Sequence, residues 1–286
     1  MANNDTTLNP STTSSLQYLI APMVQESLFV ASETSIMRGL VRNYPVPMNS
    51  GKVLQVPIYG TQSAADVNEA TDLDNTAITN TKKDITLKEI GIMTTVTDFA
   101  RNVSESNVIA DLGRLFGEAI SKKIDQDLTT LFSGFSTSYG SAQDEITVEM
   151  LFKAYAQLKA NAVPGPYYGV FSPKAIYNVK KTLTNSFVNP YGSDVANQAM
   201  REGYIGRIAG IDIFETSNVV QESATNAVNA VFSRDALGLA VMQDIRIATQ
   251  RDESLRADEV VATAVYGVSE LHDSYGIKIL GDNQIN

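Results

Sequence analysis

Val53-Leu54-Gln55-Val56-Pro57-Ile58-Tyr59 reads as a strand, and its Pro57, which cannot donate to a ladder, places it at a sheet edge. A second, longer strand spans Asp84 to Phe99. Its apolar register moves from Ile85 and Leu87 to Ile90, Ile92 and Val96, so a bulge or twist is expected near Lys88-Glu89. Between the two lies the polar stretch Gly60 to Lys83, whose only large aliphatics are Val67, Leu73 and Ile78. A connection of that length and polarity is anomalous inside a compact domain. Two strands with such a tip are not stable alone in water. The sequence therefore predicts a projecting hairpin that rests on something else.

C-terminal to this hairpin, Ser104 to Ser133 predicts one long helix. Val108, Leu112, Leu115, Phe116, Ala119, Ile120, Ile124, Leu128, Leu131 and Phe132 recur at steps of three and four. Ser104 or Ser106 can cap its start and Gly134 its end. At 1.5 Å per residue it would run roughly 45 Å, a strut rather than an average packing helix. N-terminal to the hairpin, residues 1–15 read as a polar arm. Ile20 to Val30 is at best a short amphipathic helix, and Ile36 to Tyr44 is a strand ended by Pro45-Val46-Pro47.

After the helix and a Gly/Ser-rich break (Ser133 to Ser141) the pattern alternates α and β. Thr147 caps a helix that Pro164-Gly165-Pro166 stops. Tyr167 to Phe171 is a strand, and Ser172-Pro173 opens a helix to about Leu183. Pro190-Tyr191-Gly192 is a turn, with Ser193 capping a short helix that ends near Gly203. Ile205 to Thr216 is a strand pair turning at Ala209-Gly210. Ala230 to Phe232, Leu237 to Met242 and Ile245 to Thr249 add strands. Arg251 to Asp258 is a charged connection, and Glu259 to Leu271 with Tyr275 to Leu280 form a closing hairpin.

Composition removes several chemistries. The chain of 286 residues has no cysteine, hence no disulfide, thiolate nucleophile or cysteine-ligated metal. Its one histidine is His272. Hydrophobic residues make up 43% and charged residues 19%, which argues against wholesale disorder. With 22 basic against 32 acidic residues the formal charge is −10, and no basic stripe of a dedicated nucleic-acid binder is present. The first residues carry no secretory pattern and no apolar run reaches membrane-span length, so a soluble chain made in the cytoplasm is expected.

Gly51-Lys52-Val53 is not a phosphate loop, and Gly203, Gly206 and Gly210 miss the dinucleotide spacing. Asp66, Glu69, Asp72 and Asp74 lack calcium-loop spacing and read as a solvated face. The acid pairs Asp125/Asp127 and Asp252/Glu253 read as surface. Tyr155, Tyr167, Tyr168, Phe171 and Tyr177 read as core. No catalytic, cofactor-binding or metal-ligating residue is assigned, and no enzyme is expected.

The order of elements (polar arm, long two-stranded loop, very long helix, compact α/β unit, returning strands) resembles the major capsid proteins of tailed bacteriophages, which share the Hong Kong 97 fold. Pro47-Met48-Asn49-Ser50-Gly51-Lys52-Val53-Leu54-Gln55-Val56-Pro57 looks like the opening of that family's extended loop, and Ile85 to Asp98 like its return strand. Ser104 to Ser133 looks like the spine helix of the peripheral domain. Tyr204 to Thr216 looks like the glycine turn and paired strands of the axial domain, and Val260 to Leu280 like the closing peripheral strands. The resemblance implies an α+β chain. Residues 1–50 would be the N-terminal arm and lead-in strand and 51–99 the extended loop. Residues 100–145 with 255–286 would be the peripheral domain and 146–254 the axial domain.

The resemblance further implies a virion shell of pentamers and hexamers around double-stranded DNA held without sequence-specific binding. Portal and scaffolding proteins are implied partners, a decoration protein is a further one, and no membrane is involved. The length fits a mature-type subunit without a large N-terminal scaffolding segment. Some members of that family crosslink through lysine, and Lys82 and Lys83 lie at the end of the loop. Two other readings stand beside it. An encapsulin-type shell enclosing cargo shares the fold. A filament or adhesin subunit shares the Asn/Thr/Ala-rich, cysteine-free composition but needs long terminal helices with heptad patterning. An unrecognised hydrolase is a third and weaker alternative, since carboxylate pairs leave no local signature.

Overall fold

The computed structural model describes residues 35–60, 64, 66, 77–78, 80–98, 108–141, 144–177, 179, 206–221 and 226–283. The arm, the segment 20–30, the caps Ser104 and Ser106, and the turn and short helix of 190–203 lie outside these residues.

Two sheets carry the described chain. The first has the order β1-β10-β11-β4. Its strands are β1 (Arg42–Pro45), β4 (Lys88–Thr97), β10 (Leu237–Asp252) and β11 (Ala257–Glu270). The second has the order β5-β12-β9-β6-β8-β7. It is built from β5 (Ser138–Tyr139), β6 (Tyr167–Phe171), β7 (Arg207–Ile208), β8 (Ile211–Glu215), β9 (Asn226–Ser233) and β12 (Gly276–Asp282). A separate antiparallel pair, β2 (Val53–Tyr59) and β3 (Asn80–Thr86), forms the hairpin. The helices used below are α1 (Met37–Leu40), α2 (Val108–Thr130) and α3 (Val148–Ala160), and a further helical segment begins after Ser172.

The long helix α2 joins the two sheets. Its first turns place Leu112, Phe116, Ile120 and Ile124 against Ile90 and Ile92 of β4, Ile247 of β10, and Val260, Ala262 and Ala264 of β11. Its last turn and the 3₁₀ turn Leu131–Gly134 put Leu128 and Phe132 among Val170, Val228, Ala230 and Phe232 of the second sheet. At 23 residues it is about 35 Å long, enough to span both cores. The other face of the second sheet is covered by Leu151, Ala154 and Leu158 of α3 and by Ala175, Ile176 and Val179. All eight residues of β9 are consequently buried.

Local signals behave as expected at several points. The Thr147 hydroxyl accepts from the Met150 amide, and the Ser172 hydroxyl accepts from the Ala175 amide, each capping the helix that follows. β7 and β8 pair through a turn whose two central residues, Ala209 and Gly210, have φ of 52° and 81°. Such a turn matches the strand twist and needs a residue without a Cβ at its second centre. A Cβ at Gly210 would meet the Tyr155 ring at 2.9 Å.

Other expectations are corrected. Residues 36–44 are not one strand: Met37–Leu40 is a helical turn whose Met37 and Leu40 are buried, and only Arg42–Pro45 is extended. The return strand is two strands, β3 and β4, broken at Leu87. There the chain leaves the hairpin and joins the first sheet. Leu237 to Asp252 is one strand with irregular register between Val241 and Arg246, and Arg251 to Asp258 is the paired end of the β10–β11 hairpin rather than a loop.

β11 and β12 do not pair with each other. β11 lies in the first sheet and β12 beside β9 in the second. Two short turns, Arg234–Ala236 and Asp273–Tyr275, carry the chain between the sheets. The backbone amides of Leu271 and His272 both donate to the Ala236 carbonyl, binding these crossings together. β4, β10 and β11 thus share one sheet, whereas β12 belongs to the other.

Candidate assembly surface

The hairpin is anchored at its root. Val46, Ile85, Leu87, Ala240 and Leu271 form a buried cluster, flanked by Tyr44, Leu54, Val56, Met242 and Val265. The Val46 amide donates to the Val241 carbonyl at 2.9 Å and the Leu87 amide to the Lys52 carbonyl at 2.8 Å. Along β2 the period-two pattern leaves Leu54, Val56 and Ile58 half-buried and the alternate residues exposed. Along β3 only Ile85 is buried. Toward the tip, apolar side chains are mostly exposed: Tyr59 is 68% and Ile78 67% exposed. Lys82 and Lys83 sit on exposed β3, opposite Pro57 and Val56.

Further large apolar side chains are exposed in separate places. Met48 precedes the hairpin, Met93 lies on the edge strand β4, Leu255 at the β10–β11 tip, Leu115 on α2 and Phe152 on α3. Burying any one of them recovers roughly 1.5–3 kcal/mol. Their scatter suits several modest contacts better than one large patch.

Ion pairs stiffen the surfaces that carry these residues. At the distal end of the first sheet, Arg251 of β10 holds Asp98 with two hydrogen bonds of 2.6 Å and reaches Asp258 of β11 at 3.3 Å. Those two carboxylates push the guanidinium well above its usual range, hydrogen bonding to Asp98 first. Near the middle, Asp127 of α2 accepts from Lys88 of β4 at 2.6 Å, Lys123 at 3.0 Å and the Tyr266 hydroxyl of β11 at 2.6 Å. Burial alone would raise the Asp127 carboxyl, but the hydrogen bonds from Lys88, Tyr266 and Lys123 outweigh it and hold it below the usual range.

The expectation that Asp125 and Asp127 form a surface pair is thus corrected. Asp125 is fully buried and the Asp127 side chain is 12% exposed. The signal was present: Asp125 lies three and seven residues before Leu128 and Phe132, on the same helical face.

A cleft of about 330 Å³ separates β2 from the body, lined by Arg42, Tyr44, Pro57, Asp235, His272 and Tyr275 among others. Arg42 is paired to Asp235 at 2.7 Å, and the His272 ring stacks on Tyr275 at 4.4 Å. Burial holds the His272 imidazole below its usual value, with Asp235 opposing that shift and Lys83 adding to it. Of the aromatics expected in the core, Tyr167 and Phe171 are buried, Tyr155 and Tyr168 are half-buried, and Tyr177 is 42% exposed. Of the acidic loop residues, Asp66 is exposed and the others lie outside the described residues. Among the described residues no group of three or more His, Asp or Glu side chains could hold a metal ion, and no helix is long and apolar enough to cross a membrane.

A two-sheet body bridged by a long helix, with a two-stranded hairpin seated on it through Val46, Ile85 and Leu87, is the Hong Kong 97 type of capsid fold, and solved structures match it. The capsid of the cyanophage P-SCSP1u aligns with a TM-score of 0.70 at 18% identity, over 87% of this chain and 89% of that one. The head structure of Helicobacter pylori bacteriophage KHP40 gives 0.68 at 11%, over 87% and 92%. A virus-like particle from Pyrococcus furiosus gives 0.61 at 14%, over 91% and 98%. No curated protein matches in sequence. The family described as phage capsid protein matches residues 80–279. The chain belongs to that family, and its function is that of a structural capsid protein of a phage.

Proposed function

We propose that this chain is the major capsid protein of a tailed phage, and that copies of it close into an icosahedral shell of pentamers and hexamers around double-stranded DNA. The observation that carries the reading is the hairpin, held by Val46, Ile85 and Leu87 at its root while Tyr59 and Ile78 face outward. Apolar groups left outside a single chain find cover on identical neighbours. Head-to-tail contacts that close make rings, and curved rings make shells. Individual contacts can be weak because a lattice multiplies them. The formal charge of −10 suits a container that encloses DNA without gripping it.

In this reading the first sheet with α2 is the peripheral domain, the second sheet with α3 the axial domain, and β2–β3 the extended loop. Residues 1–50 are the arm and lead-in strand. The protein is made in the host cytoplasm and resides in the virion. Portal and scaffolding proteins are its partners, with a decoration protein a further one, and it carries no catalytic function.

The likeness to the virus-like particle from Pyrococcus furiosus, at a lower TM-score than the phage capsids, shows the same fold in a particle not described as a phage capsid, and a shell enclosing cargo is kept as the second reading. Negative-stain microscopy of the purified protein tests both. Uniform polyhedral particles are expected. Filaments or monodisperse small particles would overturn the assignment. Shells isolated from infected cells that hold protein cargo in place of DNA would favour the second reading.

A further inference from the structure

Asp125 is the fully buried carboxylate of α2, and among the described residues it makes no ion pair. It faces the point where residues 1–34 join the body. The Ser35 hydroxyl donates to its Oδ1 at 3.1 Å, and the backbone amides of Ile36 and Met37 and the Asn218 side chain also stabilise its charge. Its Oδ2 has no hydrogen-bond partner. Charged groups on the surrounding elements are engaged elsewhere. Arg38 of α1 binds Asp244 of β10 at 2.8 Å, Asp127 of α2 binds Lys88 and Lys123, and the Tyr266 hydroxyl donates to Asp127. Glu215, at the end of β8, is three residues before Asn218 and also has a partner.

α1 is a single turn with no side-chain cap of its own. Asp125 holds Ser35, just before that turn, from another helix. The neighbouring Thr129 hydroxyl donates to the Asn218 carbonyl at 2.9 Å. Ser121, Asp125 and Thr129, spaced four apart and all buried, thus form a polar seam inside an otherwise apolar helix face.

We propose that Asp125 is a proton-operated catch on residues 35–40 where they dock on α2. With the carboxyl neutral, residues 35–40 stay docked on α2; with it charged, they release more readily. A buried anion with one bare oxygen and no cation is poorly solvated. Undocking residues 35–37 exposes it to water. A proton on Oδ2 removes the charge and leaves the Ser35 bond to Oδ1 in place. Burial accordingly pushes the Asp125 carboxyl up despite its four donors. The sign follows from linkage: the docked state binds the proton more tightly than the undocked one, so acid favours docking and docking weakens as pH rises through the docked-state value.

The test is hydrogen exchange of the backbone amides of residues 36–41 in the full-length unassembled chain, corrected for intrinsic exchange, from about pH 8 down to about pH 3.5, below the ordinary carboxylate value. Protection is expected to rise on acidification, approaching tenfold per pH unit where one proton is taken up. In Asp125→Asn the pH slope should vanish while β9 amides remain as in the parent. A flat parent profile, or an equal slope in Asp125→Asn, would overturn the catch. If Asp125→Asn does not fold, Ser35→Ala decides. It removes a donor that favours the charge, so the midpoint must move to higher pH; an unmoved or lower midpoint sinks the idea. Shell formation does not enter the measurement, so failure here leaves the capsid assignment untouched.

Discussion

Asp125 and Asp127 stand two residues apart on α2, and their environments drive them in opposite directions. Asp125 is raised by burial, so its contribution to stability grows as pH falls. Asp127 is held down by Lys88, Tyr266 and Lys123. The stability it confers is therefore fully present above the ordinary carboxylate value and lost as pH falls through its lower folded value. Asp127→Asn removes two ion pairs and leaves a neutral acceptor for Tyr266. Lys88 and Lys123 are about half exposed, so solvent screens much of the interaction. A loss of about 1–2 kcal/mol at neutral pH is expected. Denaturant unfolding as a function of pH checks it: the gap between parent and variant should close below about pH 4. A gap that persists undiminished in acid would assign the loss to packing instead.

At the scale of elements, two contacts hold the hairpin and the helix in place. Gly267 of β11 lies under the hairpin root, where a Cβ would stand 2.5 Å from the Thr86 carbonyl oxygen and 2.9 Å from its carbon. Those are backbone atoms, so the hairpin itself must shift. Gly267→Ala should destabilise the subunit by about 1–3 kcal/mol and speed amide exchange in 85–87. Unchanged exchange there would mean the root is not seated on this strand. Ile120 is 1% exposed between α2 and the first sheet. Ile120→Ala should lower unfolding free energy by about 2–4 kcal/mol, read by urea denaturation.

These elements were also the legible ones. Period two in Val53–Tyr59 and steps of three and four from Leu112 to Phe132 are local signals, and the structure keeps both. Sheet membership is nonlocal. Nothing in Glu259 to Leu280 distinguishes a hairpin from two strands that part company at Asp273–Tyr275, because the deciding bonds run to Ala236, far back in the chain. The buried Asp125 was readable from its helical phase. The Arg251 staple was not, since Asp98 lies 153 residues away.

For the whole molecule, the decisive property is that burial falls off along the described part of the hairpin. Leu54, Val56 and Ile85 pack into the root cluster, whereas Tyr59 and Ile78 are about two-thirds exposed. Folding and assembly should therefore be separable. Replacing residues 60–79 with an Asn-Gly turn keeps the register of Tyr59 with Asn80, because that dipeptide closes two-residue hairpins. The replaced stretch lies beyond the root cluster, so a melting transition within about 2 °C of the parent is expected for the unassembled subunit. Shells should be lost, with size-exclusion chromatography and negative-stain images reporting subunits or isolated capsomers. A subunit that melts many degrees lower would place the tip in the core of its own chain. Normal shells from the shortened chain would show that the surfaces around Met93, Leu255, Leu115 and Phe152 suffice for closure without it.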